Sequence, residues 1–218
     1  HLSVLPPDGR VRVSAPKSVP TDALEMFVRT KIGWIRKQQV KFENQPRQTE
    51  RQYVSGETLY LWGKQYFLQV DDSYKYSLVL DGEKAILTVR KDSTIQQRER
   101  FVNEWYREHL KTEISRLLPK WESMTGLHCD SWQTKYMTTR WGTCNTKTKK
   151  IWFNLQLAKK PIECLEYIIL HELAHTKVGN HGVEFVAILD QYMPYWRDIK
   201  KKLNDSTLDY YLEKMGEE

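Results

Sequence analysis

Three histidines and one glutamate within eleven residues carry the clearest chemistry in this chain: His171, Glu172, His175 and His181. On a helix, positions i and i+4 lie on the same face, so His171 and His175 can direct two imidazoles at one point. Glu172 lies one residue further round the helix, within reach of a water molecule bound at that point. This H-E-x-x-H pattern predicts a zinc site in which Glu172 is the general base.

A third metal ligand is predicted just downstream of that helix. Gly179 is typical of a helix end and Asn180 tolerates turn geometry, so the chain can reverse and bring His181 back to the metal. Glu184 is the alternative, because many H-E-x-x-H enzymes use a downstream glutamate. Three protein ligands leave one position for water, as in a catalytic zinc site. We therefore expect one Zn²⁺ per chain, in a site that other divalent metals could also occupy.

The elements that must position these residues are predicted from periodicity and breakers. Pro161 and Glu163 favour a helix start, and apolar residues at helical spacing give that helix a side that can dock on a core. Hydrophobic spacing predicts another helix over 21–35 and a long one over 101–124, which Pro119 should kink or split. A further helix is predicted over 182–192. Alternation predicts strands over 10–14, 58–62, 65–70, 76–80, 85–89, 131–139 and 151–154.

This order of elements predicts an α+β fold with two parts. Residues 1–92 would form an N-terminal β-rich subdomain with one helix, and residues 93–218 the domain that carries the metal motif. The chain of 218 residues is long enough for either one large core or two small ones. The sequence gives no indication of the oligomeric state.

The composition excludes several classes of protein. Hydrophobic residues make up 40% and charged residues 28% of the chain, which is ordinary for a globular domain. No apolar run approaches the roughly 20 residues of a membrane helix, and no signal-peptide pattern is visible. The 3 cysteines are widely spaced, which argues against a disulfide framework and for a reducing compartment. We therefore expect a cytoplasmic protein that has no membrane association and whose thiols are buried and inert.

The positive charge is concentrated beside the metal motif. The net charge is +6, and residues 131–162 contain seven basic side chains and no acidic one. A basic surface next to a metal attracts anions such as nucleic acid, nucleotide phosphates or acidic peptides. The lysines over 147–150 are equally consistent with a solvated turn. The stretch 131–162 thus predicts either a surface for an anionic partner or an ordinary lysine-rich turn.

With these residues identified, the chain resembles the YgjP-like family of metal-dependent hydrolases, relatives of the SprT and Wss-type zincin metallopeptidases. The resemblance covers nearly the whole chain. Residues 181–185 are also similar to the third-histidine segment of SprT-like proteases, which supports His181 as the ligand. The resemblance implies a zincin-like catalytic domain preceded by a β-rich part. It rests on the segments 11–16, 34–37, 56–57, 61–66, 140–144, 153–155, 171–175 and 180–182.

Three functions follow from the motif and the resemblance. The favoured one is a zinc metallopeptidase that cleaves peptide bonds with a metal-bound water, with Glu172 taking the proton. The second is a nucleotide pyrophosphatase of the UTP type, an activity assigned within the family, which would use the same metal site. The third is a nucleic-acid-associated module whose metal is structural. The substrate would accordingly be a peptide or protein, or a nucleotide.

Two further expectations concern the neighbourhood of the metal. Arg140 is expected to hold a substrate carboxylate or phosphate, to stabilise a developing oxyanion, or only to order the fold. If the scissile bond is a peptide, residues 136–139 are expected to pair with an extended substrate.

Overall fold

The computed structural model describes residues 2–5, 9–43, 51–137 and 140–205. Its strands and helices come in runs along the chain, and a 3₁₀ helix lies between the strand Lys150–Asn154 and the H-E-x-x-H helix. In chain order the elements are β1 (Leu2–Leu5), β2 (Arg10–Val13), α1 (Thr21–Thr30), α2 (Ile32–Glu43), β3 (Thr58–Leu61), β4 (Lys64–Asp72), β5 (Ser77–Asp81), β6 (Lys84–Val89), α3 (Ile95–Thr125), β7 (Ser131–Lys135), β8 (Gly142–Asn145), β9 (Lys150–Asn154), the 3₁₀ helix (Leu155–Lys159), α4 (Ile162–His175), α5 (Val183–Tyr192) and α6 (Trp196–Asp205).

The chain divides into two compact units, and the boundary lies between Arg51 and Gln52. The first unit contains the antiparallel pair β1–β2 and the helices α1 and α2. The single helix predicted over 21–35 is two helices, because Lys31 leaves helical geometry with φ −104° and ψ 4°. The second unit contains every described element from β3 to α6. The predicted division between residues 92 and 93 is a different one and falls inside the second unit, between β6 and α3.

The first sheet of the second unit has the strand order β3-β4-β6-β5. Strands β4 and β6 are parallel, whereas the two outer pairs are antiparallel. Burial alternates along β6, where Ala85, Leu87 and Val89 are fully buried. Strands β5 and β6 form a hairpin, and Gly82 supplies the positive φ of 58° that its turn requires. The four strands predicted here are confirmed with small shifts at their ends.

This sheet cannot bury its apolar face alone, and α3 and the 3₁₀ helix cover it. The buried residues of the sheet, of α3 and of α4 form one hydrophobic core. The Tyr106 hydroxyl on α3 donates a hydrogen bond to the Tyr60 carbonyl at 2.7 Å, and the Trp62 N–H donates to the Ala158 carbonyl at 2.8 Å. The small sheet therefore shares the core that supports the H-E-x-x-H helix.

The long helix α3 is a single element of 31 residues. Thr94 and Gln97 form a capping box at its start, and Gly126 in the left-handed conformation, with φ 69°, ends it. The prediction that Pro119 would split the helix is wrong, since α3 continues through it. Leu117, Leu118 and Trp121, around Pro119, are all buried, so core packing offsets the lost backbone hydrogen bond.

The second sheet has the order β7-β9-β8, with β7 parallel and β8 antiparallel to the central β9. The strand predicted over 131–139 ends at Lys135, and residues 138–139 lie outside the described part of the chain. Strand β8 lies at the edge of this sheet and packs against α4. The α+β fold is confirmed. Within the described residues, no helix has the length and apolar character needed to cross a membrane.

Candidate metal centre

Helix α4 brings the H-E-x-x-H motif to the edge of the core. Pro161 precedes the helix, and Leu165, Ile169 and Leu173 anchor it as fully buried residues. The helix ends with the last residue of the motif, His175, and the following Thr176 N–H donates to the Leu173 carbonyl at 2.9 Å. The two histidines of the motif therefore occupy the last turns of α4, next to the point where the chain reverses.

The reversal returns His181 to these two histidines. The Asn180 side chain accepts a hydrogen bond from the Gly182 N–H at 3.0 Å, the local turn that asparagine favours. The His181 Nε2 atom lies 3.1 Å from the Nε2 of His175 and 3.2 Å from that of His171. Tetrahedral zinc with ordinary Zn–N bonds would hold its nitrogen ligands about 3.3 Å apart. Three imidazole nitrogens at this spacing suit a metal such as zinc.

Contacts with Val178 and Phe185 fix the directions of the imidazole rings. The Nδ1 of His175 lies 3.0 Å from the Val178 carbonyl, and the tautomer that donates this hydrogen bond leaves the Nε2 lone pair directed at the centre. Phe185, which is buried, contacts all three histidines, with ring centroids 4.7 to 4.9 Å from theirs. Phe185 thus forms an apolar floor beneath the site.

His171 and His181 are held in the neutral form that metal binding needs. Burial, followed by the charges of His175, His181 and Lys200, lowers the pKa of His171 to about 3. Burial and the same kind of neighbours also lower the pKa of His181. A neutral imidazole offers a lone pair to a cation, whereas a protonated one does not. These two side chains are therefore ready to bind a metal at neutral pH.

Glu172 lies beside this centre and is almost completely buried, with 3% of its surface exposed. Burial raises the pKa of its carboxyl to about 8, and the charge of Arg140 opposes that rise. Among the described residues, its Oε2 atom has no hydrogen-bond partner. A Cβ atom added to Gly142 on β8 would lie 2.5 Å from Oε1 of Glu172. The carboxylate therefore occupies a narrow space between α4 and β8.

The structure brings together the three histidines that the sequence proposed. Glu184 is not part of this cluster, and its carboxylate forms an ion pair with Lys177 Nζ at 3.1 Å. The assignment of the three histidines as ligands and of Glu172 as the base stays a prediction. None of the three cysteines belongs to the cluster: Cys129 and Cys164 are buried, as expected, whereas Cys144 is half-buried.

Sequence reasoning did not identify Gly142 and Phe185 as parts of the site. Both lie in segments that carry the family resemblance, 140–144 and 181–185, which was the available signal. Their roles depend on contacts across the fold: Gly142 is on a strand that packs against α4, and Phe185 is on the following helix. Spacing along one helix cannot reveal either contact.

We predict that Gly142→Ala displaces Glu172 without removing the histidine cluster. The added methyl group would meet the Glu172 carboxylate and Cγ at 2.5 to 2.9 Å, closer than atoms can approach. Metal content should stay near that of the wild type, while the rate of catalysis falls at least about tenfold. Metal analysis and turnover measure the two effects. Gly179→Ala, in the turn after α4, is the control for a glycine change at the site, because there the added methyl group meets no described atom within 4 Å. Full activity in Gly142→Ala would contradict the contact.

The metal-free protein should lose stability in acid. Folded His171 stays neutral down to about pH 3, whereas in the unfolded chain it takes up a proton below about pH 6.5. The unfolded state binds more protons in that window, so the free energy of unfolding falls as the pH falls, by up to about 1.4 kcal/mol per pH unit. Denaturant titrations of the metal-free protein at several pH values test this. His171→Gln should show a shallower dependence, and equal slopes would disprove the assignment.

A family model matches most of the chain, and solved structures are similar to parts of it. No curated protein matches the chain at a significant level. The metallopeptidase zymogen jannalysin of Methanocaldococcus jannaschii is 27% identical over 42% of this chain and 93% of its own, with a TM-score of 0.38. The zymogen abylysin of Pyrococcus abyssi is 18% identical over 41% of this chain and 90% of its own, with a TM-score of 0.39. A family model described as the YgjP-like metallopeptidase domain matches residues 1–206. The chain therefore belongs to the YgjP-like family of metallopeptidase domains.

Proposed function

We propose that this protein is a zinc-dependent peptidase. The family implies a catalytic metal, and the observation that carries the proposal is the buried Glu172 carboxylate beside three converging imidazole nitrogens. The proposed ligands are His171, His175 and His181. Zinc bound there would polarise the scissile carbonyl and make water nucleophilic near neutral pH. A structural metal would have no use for a buried, unpaired carboxylate at its side.

Glu172 is the proposed general base. It would accept a proton at a carboxylate oxygen from the attacking water and deliver it to the amide nitrogen of the leaving group. Its raised pKa, about 8, is that of a site without a bound cation. A cation next to a carboxylate lowers the pKa of that group, so Glu172 would be ionised when the metal is bound.

Strand β8 offers a place for an extended peptide. The Asn154 N–H donates to the Trp141 carbonyl at 2.9 Å, which sets the phase of the antiparallel pairing with β9. In an antiparallel pair, every second residue directs its N–H and C=O groups away from the neighbouring strand. On β8 these residues are Gly142 and Cys144, which face away from β9. A substrate that pairs with them would pass next to Glu172, because Gly142 contacts that carboxylate. We propose this edge in place of residues 136–139, two of which lie outside the described part of the chain.

The nucleotide alternative would use the same three histidines. Within the described residues, the histidine cluster is the sole group of three or more side chains spaced to hold a metal, so magnesium would have to arrive with the substrate. The basic stretch 131–162 would have to bind the phosphates. Two of its lysines lie over tryptophan rings, Lys150 over Trp152 at 4.7 Å and Lys160 over Trp141 at 5.7 Å. Cleavage of nucleotides rather than peptides would decide for this alternative.

We predict about one zinc ion per chain, bound by the three histidines. His171→Ala, His175→Ala and His181→Ala should each lose the metal, since each removes one of three ligands. Glu184→Ala should keep it, because the Glu184 carboxylate is ion-paired with Lys177. Elemental analysis after dialysis measures the metal content. Full zinc content in His181→Ala together with loss in Glu184→Ala would transfer the third position to Glu184.

Glu172→Gln separates chemistry from metal binding. The amide keeps the shape of the side chain but cannot accept the proton, so the rate should fall at least about a hundredfold while zinc content and thermal melting stay unchanged. The assay pairs a peptide library with a nucleotide panel, each tested on the zinc-loaded wild type and on the variant. Turnover close to that of the wild type would refute the role of Glu172, and loss of zinc would show that its role is structural.

A further inference from the structure

Arg140 supplies a positive charge near Glu172. It lies between β7 and β8, two residues before Gly142, and its side chain is exposed. Within the described residues its guanidinium makes no hydrogen bond and no ion pair. The other cations near the histidines are differently placed: Lys177 is paired with Glu184, and Lys200 lies over the Trp196 ring at 5.6 Å.

The backbone around Arg140 is fixed by a buried amide. The Asn154 side chain, 3% exposed, donates hydrogen bonds to the carbonyls of Arg140 at 2.6 Å and Met137 at 2.8 Å. Its oxygen accepts from the Met137 N–H at 3.3 Å. The buried Gln156 donates a further hydrogen bond to the Met137 carbonyl at 3.2 Å, and the Trp141 carbonyl accepts from the Asn154 N–H. A free guanidinium on a fixed backbone loses less entropy when it binds a ligand.

Arg140 is also next to the proposed base. Gly142, two residues further on, packs against the Glu172 carboxylate. The charge of Arg140 opposes the burial that raises the pKa of Glu172, yet the two side chains form no ion pair. The guanidinium therefore lies near the reacting groups and keeps its N–H donors available.

We propose that Arg140 is a catalytic residue that donates hydrogen bonds to the carbonyl oxygen of the scissile peptide as negative charge develops on it. The proposal rests on the peptidase function above. When water attacks the carbonyl carbon, the π electron pair moves to the carbonyl oxygen. When the pair returns, the C–N bond breaks and Glu172 gives its proton to the nitrogen. A guanidinium is always charged and has only donors, so it suits an oxygen that becomes negative in the transition state.

Kinetics of two Arg140 variants test this role. Arg140→Met should lower kcat by about 10²–10³-fold and change KM little, because the interaction is made in the transition state. Arg140→Lys, which keeps the charge but not the planar fork, should recover part of the rate and remains informative if the Met variant fails to fold. Lys111→Met removes a positive charge from an exposed position on α3, outside the basic stretch, and should leave kcat unchanged. Zinc content and thermal melting should match the wild type in all three.

A binding measurement provides a readout that does not depend on turnover. A phosphinic peptide presents a tetrahedral anion at the position of the scissile bond. Calorimetry on zinc-loaded protein should show its affinity falling in Arg140→Met by a factor similar to the loss in kcat. An ordinary peptide of the same sequence should bind the Glu172→Gln variant and the double variant Glu172→Gln, Arg140→Met with equal affinity.

Three results would overturn the proposal. If Arg140→Met reaches the wild-type kcat at a higher pH, Arg140 only adjusts the pKa of Glu172. If KM rises and kcat does not fall, Arg140 holds a carboxylate of the substrate. Loss of zinc or a lower melting temperature in both variants would make its role structural. If the wild type cleaves no peptide, both the peptidase function and the proposed role of Arg140 are refuted. If only the Arg140 variants behave differently from the expectation, the role of Arg140 fails and the peptidase function stands.

Discussion

The contact between β8 and α4 is the constraint on which the site depends. It places Gly142 against the Glu172 carboxylate and leaves no space for a side chain there. Burying a carboxylate costs free energy, and the raised pKa of Glu172 is the expression of that cost. Burial makes the carboxylate a stronger base than one in water, whereas a bound cation would keep it ionised. The same contact puts the edge of the second sheet, and the segment that carries Arg140, beside the proposed base.

The position of the end of α4 is the second constraint. The helix stops at His175, so Val178 can offer its carbonyl to the Nδ1 of that histidine and the chain can return His181. A helix longer by one turn would carry the chain away from the centre. Phe185 then covers the underside of all three rings. The three imidazoles keep their converging arrangement because the apolar floor and the Val178 carbonyl leave the rings few other orientations.

Support for the site comes from the core that β3–β6, α3, the 3₁₀ helix and α4 share. This explains why the first sheet belongs to the same compact unit as the H-E-x-x-H helix. Asn154 connects the core with the segment beside the site. It ends β9, caps the 3₁₀ helix by accepting a hydrogen bond from the Gln156 N–H, and donates hydrogen bonds to the backbone carbonyls of Met137 and Arg140. The hydrogen bonds of this buried amide thus hold the segment that carries Arg140 in a fixed position relative to the core.

The sequence by itself determined the H-E-x-x-H helix, the convergence of the three histidines and most of the strands, because each depends on spacing within one segment. It also gave both candidates for the third ligand, His181 and Glu184. Only the tertiary structure shows their different surroundings, since the place of His181 in the cluster and the pairing of Glu184 with Lys177 depend on how the turn after α4 folds. Likewise, Pro119 continues a helix that its sequence should interrupt, because buried neighbours outweigh a local preference. Gly142, Phe185 and Arg140 acquire their surroundings from contacts between elements, and the packing that creates those contacts is not encoded in any local period of the chain.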